Sequence, residues 1–358
     1  AGAVRCTTAE RKHITGTQDT LEKMALGRAH YYNSPMAVTI SGLPAATKVV
    51  MGHQQLSYTL MSACALTEQA EVYCWGNAMS LKDSALPVHP IKIPGLTGAV
   101  DIAMDPYIIS GTSSPVKILD DTGTVYSWDG TTLTQVLTNV QSLGTHGECF
   151  VMTDGSVTCL DVAGVGTVQA GVINAVKVSR HCRSRTVYDI ICFRTAQTTD
   201  GKFLIWGWIV DTPKELQVDT AYIDYTVVDI HDSCALLNDG TFKCFRIDDD
   251  TGIVQQLGVT LTTLEKLADQ FDINAPCGIN SQGEMECFLN KAYGSATTAS
   301  ADIQYNYVGQ FGTAIPIGLK SAGAVIIQAG VKPNSFKAFS QDQSNTCAIL
   351  NDGTVQCW

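Results

Sequence analysis

Charged side chains are scarce in this chain. Asp, Glu, Lys and Arg make up 16% of its 358 residues, against about 25% in ordinary soluble domains. Acidic residues outnumber basic ones by 34 to 23, which gives a formal net charge of −11. A surface that neutralises nucleic acid phosphates needs an excess of Lys and Arg. The composition therefore argues against nucleic acid as a partner, and the polar surface must consist mainly of Thr, Ser, Gln and Asn.

The chain also lacks a long apolar run. Its longest candidate, near Gly323–Val331, is interrupted by Gln328 and falls short of the roughly 18 residues that span a bilayer. We therefore expect no membrane insertion. The sequence starts at Ala1 without an apolar signal segment, which we expect of a processed or trimmed chain.

Motifs for catalysis are missing as well. There is no Gly-x-Ser-x-Gly elbow, no Walker loop and no His-Glu-x-x-His segment. His146 and His231 each precede a cysteine by three residues and have no suitably spaced metal-binding partner, so we interpret them as structural. Asp248–Asp250 lacks the alternating ligand pattern of a calcium loop and is expected to be a solvated turn. We predict a protein that is not an enzyme and uses no cofactor or metal.

Cysteine, in contrast, is abundant and regularly placed. Twelve of the 13 cysteines form pairs separated by ten positions: Cys64 and Cys74, Cys149 and Cys159, Cys182 and Cys192, Cys234 and Cys244, Cys277 and Cys287, Cys347 and Cys357. The alternative is that the cysteines bind zinc, but the paired cysteine ligands of a structural zinc site are usually two to four residues apart. The spacing favours disulfides, and disulfides in this number indicate an oxidising compartment, hence a secreted or extracellular protein.

Five of these pairs enclose related segments, as in Cys347-Ala-Ile-Leu-Asn-Asp-Gly-Thr-Val-Gln-Cys357. Asn-Asp-Gly suits a three-residue hairpin turn whose last residue is left-handed, and this register places the two cysteines directly opposite each other. Two further copies lack cysteines, at Lys117–Trp128 and Thr195–Trp206. The predicted turn glycines are Gly123, Gly155, Gly201, Gly240, Gly283 and Gly353. The first unit has Glu68-Gln69-Ala70 instead, so its loop is expected to differ.

These seven internal repeats predict an all-β fold. A large apolar residue follows each second cysteine position, as an inter-sheet packing position requires. Short strands upstream of the hairpins, such as Met36–Ile40 with Thr47–Met51 and Ile91–Leu96 with Ala99–Ala103, bring each unit to four strands. Seven units suit a closed ring of small sheets. We predict a seven-bladed β-propeller of four-stranded antiparallel blades with disulfides inside the hairpins.

The same residues resemble a known family. Pro90-Ile-Lys-Ile-Pro-Gly-Leu, Cys64-Ala-Leu and Cys74-Trp-Gly-Asn are similar to the regulator-of-chromosome-condensation repeat, whose members form seven-bladed propellers. The resemblance covers roughly residues 36–358 and implies the same ring. The Gly-Gln-Leu-Gly motif usual after Trp-Gly is missing here. The nuclear exchange activity of the founding member is not carried over, because the acidic balance and the disulfides indicate a location outside the nucleus.

Residues 1–35 match no repeat and are interpreted as an N-terminal arm that precedes a propeller domain at 36–358. The arm contains Cys6, the odd cysteine, which is either unpaired, available for an intermolecular bond, or a competitor for Cys182 or Cys192. Residues 289–335 are the second segment that the repeats do not account for. This segment must also supply outer strands of the seventh unit. It is open whether this segment forms a binding loop.

The leading hypothesis is a secreted, non-catalytic interaction or building module that assembles with other protein subunits, itself among them, through the arm and forms a filament or closed oligomer. One alternative is a monomeric lectin-like or inhibitor-like module that binds glycans or proteins on one propeller face. Another is an enzyme with its site in the central channel.

Peptide mapping of the unreduced protein tests the cysteine analysis. We expect six linkages, each joining cysteines ten positions apart, and no linkage between different units. Mass spectrometry of a proteolytic digest with free thiols blocked measures this directly. Linkages that join cysteines of different repeats would contradict the hairpin assignment.

Overall fold

The computed structural model describes residues 38–54, 57–76, 90–104, 107–108, 116–161, 164–186, 189–207, 210–216, 227–231, 234–238, 242–247, 254–257, 264–267, 277–280, 285–287, 317–320, 323–326, 336–341 and 346–357. Within these ranges the chain is all β and contains no helix. Its strands form five four-stranded and two five-stranded sheets, which we number in the chain order of their hairpins.

Sheet 1 contains β2 (Ala46–Gln54), β3 (Ser57–Thr67), β4 (Val72–Gly76), β5 (Ile91–Lys92) and, beside β2, the short parallel strand β7 (Tyr107–Ile108). Sheet 2 contains β6 (Ala99–Ala103), β8 (Val116–Asp120), β9 (Val125–Trp128) and β10 (Leu133–Leu137). Sheet 3 contains β11 (Val140–Leu143), β12 (Cys149–Met152), β13 (Val157–Leu160) and β14 (Gly166–Val168). Sheet 4 contains β15 (Ala175–Thr186), β16 (Asp189–Thr198), β17 (Phe203–Gly207) and β18 (Val210–Glu215).

Sheet 5 contains β19 (Val227–His231), β20 (Cys234–Leu237), β21 (Phe242–Ile247) and β22 (Val254–Leu257). Sheet 6 contains β23 (Leu264–Leu267), β24 (Cys277–Asn280), β25 (Met285–Cys287), β27 (Gly323–Ile326) and, at its edge, β26 (Ile317–Lys320). Sheet 7 contains β28 (Phe336–Gln341), β29 (Thr346–Leu350), β30 (Val355–Cys357) and β1 (Val38–Thr39). The first strands of the sheets contact one another in the order β28, β2, β6, β11, β15, β19 and β23.

The outer strands belong to different sheets from those that the sequence repeats indicate. Ile91–Lys92 was expected to precede the second hairpin within one unit, but it pairs with β4 of sheet 1. Gln135 and Leu137 of β10 pair in the same way with β9 of sheet 2, the strand that precedes them in the chain. The predicted grouping of these strands is wrong by one strand.

The same offset moves the first described strand and the long insertion. Val38–Thr39 pairs with β30 at the far end of the chain, where Val38 lies opposite Cys357. The N–H of Ile40 donates to the carbonyl of Val355 at 2.9 Å. Within residues 289–335, β26 and β27 join sheet 6 beside β25 instead of the seventh unit. The last sheet therefore combines three C-terminal strands with one from the N-terminal side.

A β-bulge recurs near the start of the first strand in every sheet. In β2, Ala46 pairs with Thr67 and Lys48 with Leu66, so Thr47 is the extra residue. The equivalent extra residues are Val100, Gln141, Val176, Val228, Glu265 and Lys337. A bulge bends its strand and increases the local twist, and it turns the extra side chain outward, as at Val100, which is 52% exposed. The sequence repeats gave no sign of this feature.

Main-chain hydrogen bonds connect the hairpin turns of sheets 1, 2, 3 and 7 to the next sheet. The carbonyl of Gly123 in sheet 2 accepts from Val140 N of sheet 3, and that of Gly155 accepts from Ala175 N of sheet 4, both at 2.9 Å. The carbonyl of Gly353 in sheet 7 accepts from Ala46 N of sheet 1 at 2.8 Å. One linkage thus repeats from sheet to sheet and also joins the last sheet to the first.

The turn of the first unit follows the same geometry despite its different sequence. Ala70 has φ +58°, close to the left-handed values of the turn glycines, and its carbonyl accepts from Ala99 N of sheet 2 at 3.2 Å. The expectation of a different loop at Glu68–Ala70 is therefore wrong. An L-residue in this conformation places its Cβ close to the following carbonyl, which costs about 1–2 kcal/mol.

Replacing Ala70 by Gly should relieve that strain. We expect Ala70→Gly to raise the free energy of unfolding by about 1 kcal/mol, less the entropy that glycine gains in the unfolded chain. Gly353→Ala is the matched opposite, because φ is +81° and the new Cβ would lie 2.6 Å from the Cβ of Ala45. This variant should lose stability. Denaturant titration measures both, and a loss in Ala70→Gly would contradict the strain argument.

Candidate functional site

The paired cysteines lie directly opposite each other in neighbouring antiparallel strands. Disulfides join Cys64 to Cys74, Cys149 to Cys159 and Cys347 to Cys357, with Cα separations of 4.1, 4.0 and 4.1 Å. Separations this short are typical of the closer of the two antiparallel pair types. Closing a loop of about ten residues in this way stabilises the fold by on the order of 2–3 kcal/mol, because it lowers the chain entropy of the unfolded state.

The backbone register also places the cysteines of the other three pairs directly opposite each other. Cys182 lies opposite Cys192, Cys234 opposite Cys244, and Cys277 opposite Cys287. Cys192 is disulfide-bonded. In sheet 4 the pair joins the first two strands instead of the hairpin that follows them. Side chains of the other five cysteines lie outside the described part, as does Cys6 with the whole of residues 1–35, so the full pairing stays a prediction.

Each described hairpin disulfide packs against the sheet that follows it. Cys64 and Cys74 of sheet 1 share a buried cluster with Trp128 of sheet 2. Cys149 and Cys159 of sheet 3 share one with Trp206 of sheet 4, and Cys347 and Cys357 share one with Trp75 of sheet 1. The large residue after the second cysteine position thus covers the preceding disulfide. In sheet 2, Lys117 and Ser127 replace the cysteines, with Nζ donating to Oγ at 3.1 Å, and the next sheet has the smaller Leu160.

The predicted turn glycines in the described part have left-handed backbones. Values of φ are +80° at Gly123, +79° at Gly155, +76° at Gly201 and +81° at Gly353. Gly240 and Gly283 lie outside the described residues. A Cβ at Gly155 would lie 3.0 Å from the Cα of Asn174 in the next sheet. Glycine is needed there for close approach as well as for φ.

Aspartate side chains accept hydrogen bonds within several of these turns. Asp154 Oδ1 accepts from the N–H of Ser156 at 2.9 Å and from its hydroxyl at 2.7 Å. Asp352 Oδ1 accepts from Thr354 N at 2.9 Å. These hydrogen bonds favour the ionised form and hold the pKa of Asp154 and of Asp352 below the usual range. The sequence pattern Asp-Gly predicted the turn but not the role of the carboxylate.

In sheets 1 to 5 the first residue after the bulge is polar, whereas in sheet 7 it is the buried Ala338. Lys48 of β2 and Asp101 of β6 pair across sheets 1 and 2, with Nζ and Oδ1 2.7 Å apart. The next member, Ser142 of β11, donates its hydroxyl to the carbonyl of Val176 in sheet 4 at 3.4 Å. The equivalent positions in sheets 4 and 5 are Lys177 and Asp229.

The loop Gly144–Glu148 joins the first two strands of sheet 3 and packs against sheet 4. Thr145 and Ser179 share a hydroxyl–hydroxyl hydrogen bond of 2.7 Å. His146 is 3% exposed, in keeping with the structural interpretation of this histidine. The side chain of His231, at the end of β19, lies outside the described part.

Two arginines stand side by side where this loop meets sheet 4. Arg180 of β15 and Arg194 of β16 are directly opposite in the register. Arg180 forms an ion pair with Glu148 and donates Nη2–H to Cys192 Sγ at 3.0 Å. Burial, and then the charge of Arg180, lower the pKa of Arg194 from its usual range. We call Arg180 and Arg194 the arginine pair; sequence analysis missed it because the two residues belong to no motif.

The arginine pair lies at the base of a long hairpin. β15 and β16 contain 12 and 10 residues, and β2 and β3 of sheet 1 contain 9 and 11. The first two strands of sheets 2, 3 and 5 have four or five residues each. These two hairpins therefore extend beyond the neighbouring sheets. The two long hairpins therefore make one end of the sheets different from the other.

The described residues contain neither a cluster of three potential metal ligands nor a helix able to span a bilayer. Asp248–Asp250 lies outside the described part, so its interpretation as a turn stays a prediction.

No family model and no curated protein matches the sequence. Among solved structures, the chain is similar to BamB from Moraxella catarrhalis, with a TM-score of 0.48, 16% identity and coverage of 90% of this chain and 97% of the other. It is similar to YCF48 bound to D1 peptide, with a TM-score of 0.47, 10% identity and coverage of 91% and 97%. BBS1N in complex with ARL6DN gives a TM-score of 0.48, 13% identity and coverage of 90% and 94%. Similarities of this size identify no function.

The turn aspartates predict how stability depends on pH. A carboxylate whose folded pKa is lowered stabilises the fold above its unfolded pKa, near 3.9, and loses this contribution as the pH falls through the folded pKa. We therefore expect the free energy of unfolding to fall below about pH 4. The double variant Asp154→Asn, Asp352→Asn keeps an acceptor at each turn but cannot titrate there, so its free energy of unfolding should fall less over the same pH range. Denaturant titrations from pH 6 to pH 2.5 measure this, and equal slopes would contradict it.

Proposed function

We propose that the protein is a secreted, non-catalytic, seven-bladed β-propeller that serves as an extracellular interaction or structural module. The succession of mostly four-stranded antiparallel sheets supports the propeller, and the contact of β28 in sheet 7 with β2 in sheet 1 is what a ring requires of its last and first sheets. A ring removes most exposed strand edges, which otherwise invite uncontrolled association. Disulfides at 64–74, 149–159 and 347–357 favour an oxidising compartment.

The observation that carries self-assembly is the position of β1. Val38–Thr39 is the outermost strand of sheet 7, so the described chain starts at an outer edge of a sheet and not in its core. An arm that starts there can extend to the edge of a neighbouring molecule by strand addition. Cys6 then offers a thiol for an intermolecular disulfide. The partner in this proposal is another subunit of the same chain.

Deletion of residues 1–35 tests the proposal. Unreduced wild-type protein is expected to form regular fibres or closed oligomers in negative-stain electron microscopy, and the deletion variant is expected to form single rings. β1 remains in this variant, so sheet 7 stays complete. Cys6→Ser is the matched variant that removes only the thiol, and non-reducing electrophoresis should show whether it loses a covalent dimer.

Single rings of the wild-type protein, at all concentrations and without reductant, would refute self-assembly. Assembly that persists without residues 1–35 would refute the role of the arm while leaving the propeller unaffected. Circular dichroism and the unfolding midpoint of the deletion variant control for misfolding.

A second candidate function is recognition of a protein or glycan on one face by a monomeric ring. The long hairpins β2–β3 and β15–β16 favour it, because binding residues are often carried by loops that project from a rigid scaffold. Shortening the β15–β16 hairpin between Cys182 and Cys192 separates the two candidates. Assembly through the arm should survive this change, whereas binding on that face should not.

A further inference from the structure

The outer edge of sheet 3 exposes apolar side chains. β14 (Gly166–Val168) is the last strand of this sheet, and each of its three residues is exposed. Val165, Val168 and the nearby Ile173 are 60%, 63% and 69% exposed. Among the described residues, the only other exposed large apolar side chain is Val100, at 52%. Exposed apolar surface is therefore concentrated between positions 165 and 173, beside one strand edge.

The main chain of this edge has hydrogen-bonding groups that face outward. The carbonyl of Val165 accepts from the residue that follows β13 at 3.0 Å, and the N–H of Gln169 donates to a carbonyl of β13 at 2.8 Å. Inward-facing and outward-facing residues alternate along an antiparallel strand. Gly166 and Val168 therefore direct their N–H and C=O groups away from β13, where a further strand can pair with them.

β14 lacks the features that commonly protect an outer strand from such pairing, namely Lys, Pro or a bulge. The register of β14 with β13 is regular. Four other outer strands have at least one of these features: Lys92 in β5, Pro213 and Lys214 in β18, Lys320 in β26, and a bulge after Gln135 in β10. The edge of sheet 3 is therefore open to strand addition.

Charge distinguishes β14 from β22, the other outer strand of more than two residues that lacks these features. Sheet 5, which contains β22, has Lys243 and Arg246 in β21. Sheet 3 is the one sheet whose described strands contain no Lys or Arg. Positions 118–176 contain six Asp or Glu residues and no Lys or Arg, and one of the six, Glu148, pairs with Arg180 of sheet 4. A basic segment is attracted to such a surface.

The N-terminal arm supplies a segment of the opposite charge. Residues 1–35 contain five basic and three acidic residues, whereas the whole chain contains 23 and 34. Within the arm, Arg11 and Lys12 directly precede His13-Ile-Thr-Gly-Thr17, and β-branched residues such as Ile and Thr favour strands. The described chain starts at β1, which like β14 is an outermost strand. An arm that leaves β1 therefore reaches another molecule at its outer edges first.

We propose that β14 receives the N-terminal arm of a second copy of this chain, with residues 11–17 of the arm added as a fifth strand of sheet 3. The outward main-chain groups of Gly166 and Val168 supply the hydrogen bonds of β-augmentation. The exposed apolar side chains supply contact area, and the acidic surface attracts Arg11 and Lys12. This inference rests on the proposed assembly through residues 1–35 and adds to it the edge that receives the arm.

Hydrogen exchange of the full-length, unreduced protein tests the site directly. We expect exchange at the amides of Gly166 and Val168 to slow at least tenfold when the concentration is raised until the protein assembles, because strand addition gives both amides an acceptor. Mass spectrometry after pulsed deuterium labelling measures this. Unchanged exchange in the assembled protein would overturn the proposal and leave assembly through the arm intact. Protection already present in single rings would show that the arm of the same molecule occupies the edge, which also overturns it.

A peptide of residues 1–35 with Cys6→Ser provides a second measurement, by fluorescence anisotropy with full-length protein below its assembly concentration. Val168→Lys adds a cation to the edge and should weaken peptide binding at least tenfold. Val168→Pro removes an outward N–H but no hydrogen bond to β13, and should also weaken binding. Val100→Lys is the matched control, because Val100 is an exposed valine outside the outer strands. It should bind as wild-type does.

The charge contribution is tested on the peptide itself. A peptide with Arg11→Gln and Lys12→Gln should bind wild-type protein more weakly, and added salt should reduce this difference. Equal binding by wild-type and Val168→Lys would overturn the assignment of β14, as would the absence of peptide binding by wild-type protein. Wild-type rings that never assemble but bind the peptide in a Val168-dependent way would refute the proposed assembly and support β14 as the receiving edge. Circular dichroism and unfolding midpoints of the variants control for misfolding.

Discussion

The hydrogen bond from the hairpin turn to the next sheet, present at the turns of sheets 1, 2, 3 and 7, is the interaction on which the rest of the structure depends. It requires a left-handed residue at the third turn position, because only then does the carbonyl face the N–H that begins the next sheet. Gly123, Gly155 and Gly353 meet the requirement without strain, and Ala70 meets it at a cost. The turn therefore does more than reverse the chain. It sets the spacing between sheets, and the spacing in turn decides which side chains can fill the interface.

The interfaces combine two kinds of stabilisation that act on different states of the chain. A disulfide within a hairpin mainly restricts the unfolded chain, whereas a buried tryptophan stabilises the folded one by removing apolar surface from water. In the clusters with Trp75, Trp128 and Trp206 the two coincide, because the indole packs against the disulfide of the preceding sheet. Where Lys117 and Ser127 replace the cysteines, the residue at the tryptophan position of the next sheet is Leu160, partly buried. Low charge in the sequence thus accompanies interfaces that need few ion pairs.

Much of the local structure could be predicted from the sequence because it depends on contacts ten residues apart or fewer. The spacing from Cys64 to Cys74 specifies an odd hairpin turn and a register, and both are local. The grouping of strands could not be predicted, since Ile91–Lys92 is a two-residue strand whose sequence does not assign it to one of the two neighbouring sheets. The bulge at Thr47 has no sequence signature. The arginine pair was missed because Arg180 and Arg194 become neighbours only through strand pairing, in a stretch whose residues fit no motif.

The pairing of β1 with β30 has a consequence for how the protein is made. Val38–Thr39 is synthesised first among the described strands, yet its partner, Val355–Cys357, lies at the other end of the sequence. This contact has nearly the largest sequence separation available in the chain, and contacts of that kind form slowly. Sheets 1 to 6 can fold as they emerge, but sheet 7 must wait for the last residues. Until then, the partner of β1 is missing, so a high concentration of chains during folding is expected to favour exchange of this strand between molecules.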